Sequence, residues 1–374
     1  MSIISTKKNW INLTIWVVII ALIIAAPTFL PVFRLNLLGR YLSLAIVALG
    51  VDLIWGFTGM LSLGQGIFFA LGGYCAAMFL QLNSSEGFPN GIPEFFGLYG
   101  IEKLPFFWEP FKNSIFTLIS IWLLPAIIAG LLGYLVFRNR IKGVYFSILT
   151  QAALLVFFNF FNGQQKLING TNGLKTDVTE LFGQLVGSEI MQRGFFWLTA
   201  ILVIFAWLFS RWIVRDRFGD ILIGIRDDEP RVRFTGYNPV VFKTIIFSIA
   251  GGLAGISGAL YTVQSGIVSP QFMTVPFSIE MVIWVAVGGR GTLLGAILGA
   301  VFINYAKSLV SEALPASWMF IQGGLFIFVV TALPEGVLGW IRRGGLKELL
   351  SLIGINKKLK TYPSLEVNEQ GEVN

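Results

Sequence analysis

Long apolar runs separated by short polar stretches divide this chain. Most reach the roughly twenty residues that a helix needs to cross the hydrocarbon of a bilayer. They extend over about Trp10 to Phe33, Leu37 to Trp55, Met60 to Leu82, Ser114 to Phe137, Val144 to Phe161, Phe195 to Val214, Val241 to Val263, Phe277 to Val287, Thr292 to Leu309 and Trp318 to Ile341. The first run is too long for the apolar part of a signal peptide and lacks a small-x-small cleavage site, so it reads as a true span. The pattern predicts an all-α polytopic membrane protein with about ten transmembrane helices. Residues 1–354 form the membrane domain, and 355–374 form a polar tail.

The polar stretches set the orientation. Lys7 and Lys8, the Arg138-Asn139-Arg140-Ile141-Lys142 knot, the arginines between 215 and 239, Arg290, and Arg342 with Arg343 all fall on one side. Cationic loops stay in the cytosol, so an even span count leaves both termini and the tail cytosolic. Arg34 and Arg40 fall on the other side, a minority exception. The long loops at 83–112 and 162–189 belong outside. Composition agrees with this class: hydrophobic residues make up 55% of the 374 and charged residues 13%, and mean hydropathy is +0.76. The net charge of +7 reports membrane topology rather than nucleic-acid binding. Histidine is absent and Cys75 is the sole cysteine. That removes the commonest general base and metal ligand, and any disulfide or Cys-based metal site.

Arg215 to Pro239 is a strongly charged polar island between apolar runs. It alternates five arginines with Asp216, Asp220, Asp227, Asp228 and Glu229. Phe218, Ile221, Leu222 and Ile225 recur at helical spacing, which predicts a short helix with one apolar face at the cytosolic membrane surface. Gly236 offers a helix stop and Asn238-Pro239 a turn. Such a helix suits a soluble partner that grips it. A solvated positive-inside loop without a partner is the plainer alternative.

Within the runs the informative residues are glycines and a few polar groups. Gly251-x-x-x-Gly255 and Gly255-x-x-Gly258 allow two helix backbones to approach closely. Ser62-Leu63-Gly64-Gln65-Gly66 and Gly288-Gly289-Arg290-Gly291-Thr292 each place a glycine cluster and a hydrogen-bonding residue near the start of a run. Glycine-interrupted segments of this kind can be unwound backbone beside a solute pathway. The ionisable residues inside runs are Asp52, Glu280, Lys307 and Glu335, and no relay is evident among them. Asn159, Asn304, Gln65 and Gln151 can hydrogen-bond a neutral solute or one another.

Taken together, several of these motifs resemble the branched-chain amino-acid/urea permease family of ABC importers. They are Ser62 to Gly66 with Phe69 and Gly72-Gly73-Tyr74, Lys142 to Ile148, Asn169-Gly170-Thr171-Asn172-Gly173-Leu174, and the island followed by Gly251 to Tyr261. Leu104 to Trp108, Gly236 to Pro239, Gln264-x-Gly266-Ile267 and Trp284 to Leu293 are most similar to the urea branch. The resemblance implies a permease subunit in the bacterial plasma (inner) membrane, with urea as the expected solute. Branched-chain or other amino acids are the alternative. It implies a second homologous permease, two cytosolic ATPase subunits and a periplasmic binding protein. No Walker A motif occurs, so partner subunits bind the ATP and this chain needs no cofactor. The implied ATPase-coupling residues are Ile221, Gly224, Arg226, Asp227, Asp228, Glu229 and Gly236, with the three carboxylates facing the ATPase. The implied pathway residues are Gly64, Gln65, Gly66, Asn172, Gly289 and Arg290. The scarcity of charge in the runs suits a neutral solute, because a zwitterion needs countercharges. A self-sufficient channel or secondary carrier also fits ten spans, but the ordered island and the lack of a carboxylate relay count against it. An intramembrane enzyme lacks the residues for catalysis.

Overall fold

The computed structural model of the chain describes residues 27, 29–84, 92–141, 143–314, 318–332 and 336–342. The expected first span lies almost wholly outside the described residues. So do Lys142, Glu335 and the 355–374 tail. In chain order the helices are α1 (Val32–Thr58), α2 (Gln65–Ser84), the short α3 (Glu94–Leu98), α4 (Ser114–Arg138), α5 (Val144–Gly163), the single-turn α6 (Gln165–Ile168), α7 (Glu189–Arg215), α8 (Arg217–Phe234), α9 (Pro239–Ser265), α10 (Val275–Gly288), α11 (Leu293–Ala313), α12 (Trp318–Ala332) and α13 (Gly336–Arg342). Among the described residues, seven helices (α1, α2, α4, α5, α7, α9 and α11) are long and apolar enough to cross a membrane, while α10 and part of α12 are shorter apolar helices. The chain is an all-α polytopic membrane protein.

Two boundaries differ from the pattern-based expectation. The run from Met60 is not helical at its start: Gly59 takes a left-handed φ of 76° that ends α1, and α2 begins only at Gln65. Helix α7 starts at Glu189 rather than near Phe195, because a polar first turn closes through an Arg193–Glu189 ion pair at 2.6 Å. The last run is described as α12 and α13, and residues 333–335 between them lie outside the described residues. The 162–189 loop has local order. Within it β1 (Leu174–Lys175) pairs antiparallel with β4 (Ile267–Val268), and β2 (Glu180–Leu181) pairs with β3 (Gln184–Leu185).

Helices α1 and α2 are apolar all round and almost wholly buried, the mark of central helices. Helix α9 packs against α4, α2 and α1, and α7, α10 and α11 complete the bundle around α1. Helices α4 and α5 keep broad exposed faces of Leu118, Leu131, Leu135, Val156 and Phe160, suited to lipid. Glycines set how closely α9 approaches its neighbours. A Cβ on Gly258 would collide with the Phe69 carbonyl oxygen, and one on Gly72 with the Gly255 backbone. Pro125, inside α4, cannot donate to the Ile121 carbonyl, and the Gly255 backbone covers that freed oxygen. The fully buried Phe247 ring then locks α9 to α2, α4 and α5. It meets Phe68, Phe137 and Phe146 edge-on at centroid distances of 5.6, 6.0 and 5.7 Å.

Replacing Gly258 by Leu is therefore expected to destabilise the bundle by about 3 kcal/mol or more, since overpacking a close backbone contact leaves no room to relax. Gly97→Ala, at a position with open space around it, should leave stability unchanged. Thermal aggregation midpoints of the two variants in detergent check the contrast.

Candidate functional site

The polar island folds into α8, and its pattern of burial follows its sequence. Leu222 and Ile225 are buried, with Phe218 and Ile221 at the rim. Phe218 packs on Phe242 of α9 at 5.4 Å between ring centroids. Instead of one short helix, α8 is two, broken at Asp228, whose φ of −155° and ψ of 89° are non-helical. The Asp228 carboxylate accepts the Arg231 backbone N–H at 3.1 Å and so caps the second half, with Pro230 in that half's first turn. Gly224 lets Val232 of the second half fold back on the first, a Cβ there standing 3.1 Å from the valine side chain. Gly236 takes a left-handed φ of 89° and the chain turns into α9, which Asn238 caps through the Val240 N–H.

Two sets of charges fasten α8 to the bundle. Glu229 faces inward, 8% exposed, and its two oxygens accept from Lys243 of α9 and from Arg233, each at 2.7 Å. The expectation that it faces an ATPase alongside Asp227 and Asp228 is thereby corrected. The break at Asp228 rotates the next residue toward α9, while Asp227 stays exposed and Asp228 partly so. At the other fastening point, Arg226 donates to the Gly56 carbonyl at 2.9 Å. Arg290 donates to the Trp55 carbonyl at 3.1 Å and stacks 4.8 Å from the Trp55 ring centre. Both guanidiniums thus sit at the carbonyl end of α1, where the helix dipole favours positive charge. Asp52, fully buried, accepts the Gly291 N–H at 2.6 Å and holds the α10–α11 break against the same helix end. Partial desolvation, then the like charge of Arg226, lower the Arg290 pKa, and Asp52 opposes them. A cleft of about 340 Å³ opens beside this cluster, between α8 and the residues Ile141 and Gly143, with Thr58, Arg226, Asp227, Asp228 and Lys243 on its walls.

The second candidate region lies deeper, where irregular backbone meets irregular backbone. Residues 60–64 run non-helically alongside α5. There the Leu63 N–H donates to Thr150 Oγ1 at 3.0 Å, and Ser147 Oγ donates to the Leu61 carbonyl at 2.6 Å. Those hydroxyls replace the helical partners that this stretch lacks, a requirement at membrane depth. From the opposite end of the bundle, the chain after α9 descends through β4 and Pro270–Met273 before α10 begins. The two segments meet at Gly66, where a Cβ would strike the Phe272 carbonyl oxygen and stand 3.1 Å from Ser278 Oγ. Gln65 and Ser278 are each 1% exposed, and their side-chain polar atoms have no hydrogen-bond partner among the described residues. An unpartnered buried amide is costly, which sets this junction apart from the surrounding packed helices.

A profile of the family described as "Branched-chain amino acid transport system / permease component" matches residues 33–330. The chain belongs to this family. It is 27% identical over 319 residues to the high-affinity branched-chain amino acid transport system permease protein LivM of Escherichia coli (strain K12), covering 79% of this chain and 68% of that protein. To LivH of the same organism it is 22% identical over 313 residues, covering 79% and 91%. A shorter match, 31% over 144 residues, links it to the autoinducer 2 import system permease protein LsrC of Salmonella choleraesuis (strain SC-B67), covering 36% of this chain and 40% of that one. No solved structure is a significant match. The membership and the apolar helices agree with the expected multi-pass placement in the bacterial inner membrane.

In this permease the sequence-predicted residues fall in three places. Ile221, Gly224, Arg226, Asp227, Asp228, Glu229 and Gly236 lie on or just after α8, and Gly289 and Arg290 join them at the end of α1. Gly64, Gln65 and Gly66 form the deep junction. Asn172 is exposed in the loop whose Gly173 backs onto the Val268 carbonyl, at the opposite end of the bundle. Of the other polar candidates, Asn159 and Asn304 donate to carbonyls four residues earlier in their own helices, at 2.9 and 2.8 Å. Sequence reasoning missed that Glu280 and Lys307 are partners, on two helices joined by a glycine break, with Lys307 Nζ 2.7 Å from Glu280 Oε1. A basic and an acidic residue at similar depth on consecutive runs was the available signal.

Lys243→Met is expected to destabilise the permease by about 3 kcal/mol, because it leaves a buried carboxylate short of a partner. Adding Glu229→Leu should recover most of that loss. Equilibrium or thermal unfolding of the single and double variants in detergent checks the recovery.

Proposed function

We propose that this permease is a membrane-spanning subunit of an ATP-driven importer for branched-chain or related apolar amino acids. The match to the family across residues 33–330 carries the reading. The names of LivM and LivH favour the amino-acid alternative over urea, the solute expected from the sequence. The Glu280–Lys307 pair puts two opposite charges in the bundle, the kind of countercharge a zwitterion needs. A second homologous permease, two ATPase subunits and a substrate-binding protein would complete the transporter.

The coupling role belongs to α8, with its end of the bundle and both termini in the cytosol. Ile221, Gly224 and Gly236 give the helix pair its shape, and Glu229 and Arg226 fasten it. The exposed Asp220, Asp227 and Arg231 then form the edge offered to an ATPase. A push on that edge reaches α1 through Arg226 and α9 through Glu229. Because Arg290 shares the end of α1, it also reaches the break between α10 and α11. Solute would pass the Gly64–Gln65–Gly66 junction, entering beneath the Asn172 loop. Urea import remains the second reading, favoured by the unpartnered neutral amide of Gln65.

Uptake of labelled leucine and labelled urea, in cells lacking the gene and then complemented, tests both readings. Leucine uptake should disappear and return with the wild-type gene, while urea uptake stays constant. Loss of urea uptake alone would overturn the amino-acid reading. Complementation with Asp227→Arg should restore less than about a tenth of leucine uptake at equal membrane abundance, the effect of a like-charge clash at an interface. Full restoration would remove that edge from the contact.

A further inference from the structure

At the end of the bundle opposite α8, charge gathers between α1, α10 and α11. Lys307 Nζ lies 2.7 and 2.8 Å from the two Glu280 oxygens, and the Glu280 side chain is only 14% exposed. Farther along α11, Glu312 meets Arg34 of α1 at 3.1 Å. Between the two pairs, the Tyr41 hydroxyl touches Ser308 Oγ. Arg40 gives its Nε to the Gln264 carbonyl at 3.1 Å, and no carboxylate among the described residues pairs with it. Asn36, one turn away on the same face of α1, keeps its Oδ1 buried without a partner.

An aromatic knot adjoins these charges. Tyr261, Phe272 and Phe277 surround the buried Phe69 at centroid distances of 5.6, 5.5 and 5.2 Å. Phe277 precedes Glu280 by three residues on α10, so the two share a helix face. Tyr261 precedes Gln264, whose carbonyl holds Arg40, by three residues on α9. Tyr261, Phe272 and Phe277 each keep an accessible edge.

We propose that this juxtaposition is a recognition subsite for a zwitterionic α-amino acid with an apolar side chain. Glu280 takes the ammonium group, Arg40 takes the carboxylate, and the edges of Tyr261, Phe272 and Phe277 take the side chain. The inference rests on the amino-acid reading above and assigns residues to it. Packing alone explains the cluster poorly. A partly exposed ion pair adds little stability, and ionisable groups inside spans tend to mark solute pathways. The charge balance also fits. Among the described residues Arg34 pairs with Glu312 and Lys307 with Glu280, while Arg40 holds only a carbonyl, three cations against two carboxylates, which leaves room for one more carboxylate. An incoming ammonium can displace Lys307 from Glu280, because the more exposed lysine has a flexible stem and can turn to water. A neutral solute forms no ion pair with either charge.

The test is equilibrium binding of labelled leucine to the purified complete transporter, without its binding protein. Leucinamide, which lacks the carboxylate, and 4-methylpentanoate, which lacks the ammonium group, serve as competitors. Arg40→Gln should weaken leucine binding about tenfold, the scale of one lost charge-assisted hydrogen bond, and erase its preference over leucinamide only. Glu280→Gln should erase the preference over 4-methylpentanoate only. The charge-swapped Glu280→Lys/Lys307→Glu variant keeps an ion pair for assembly and should still lose leucine binding more than tenfold. Leucine binding restored by the swap, or both preferences kept in the single variants, would overturn the subsite and make the pair structural. A wild-type transporter that imports leucine but shows no such binding would also overturn it, leaving the amino-acid reading intact. One that imports no leucine would overturn the reading itself.

Discussion

Backbone contact along α9 is the constraint on which the bundle depends. Helices in lipid gain little from burying apolar side chains against one another, because the tails outside are equally apolar. Close packing must supply the attraction, and glycines permit it. Gly251 packs on the Pro125 carbonyl, Gly255 on the freed Ile121 carbonyl and Gly258 on the Phe69 carbonyl, joining α9 to α4 and α2. With those distances set, Phe247 fits between its three ring neighbours, and α1 is enclosed on all sides.

A second constraint explains the non-helical segments. Every backbone amide at membrane depth needs a partner, so a chain that unwinds there must borrow one. Thr150 and Ser147 supply it for residues 61–63. The β1–β4 bridge supplies it where the chain descends from α9. These borrowed bonds bring two irregular segments together at Gly66 without exposing them to lipid. The Gln65 amide and the Ser278 hydroxyl stay buried there with no hydrogen-bond partner among the described residues.

Charge handles attachment. Helix α8 has an apolar stripe too narrow to hold it by burial alone, and its fastening comes from Glu229 to Lys243 and Arg233, and from Arg226 to the end of α1. Because Arg290 and Asp52 meet at that same helix end, a displacement of α8 bears on the α10–α11 break. The same two helices carry Glu280 and Lys307 at their far ends. Helix α8 and the charged cluster are therefore linked through helices rather than through loops.

The sequence by itself determined the class, the spans and the island. Run lengths of about twenty apolar residues dictate helices in lipid. The starts of α4 and α5 came within a residue of the hydrophobic pattern, since the switch from polar to apolar there is abrupt. The apolar stripe of α8 and the stop at Gly236 were legible for the same local reason. Tertiary structure decided what depends on residues far apart in the chain. Met60 to Gly64 reads as the start of a helix, but the Ser147 and Thr150 hydroxyls hold it open, and they lie more than eighty residues away. Glu229 reads like its exposed neighbours Asp227 and Asp228, yet the break before Pro230 turns it onto Lys243. Glu280 and Lys307 read as isolated intramembrane charges, and only the return of α11 past α10 makes them a pair. Periodicity reports which face of a helix is apolar. It carries no information about which polar group on another helix will stand opposite, and in this permease those pairings form the candidate sites.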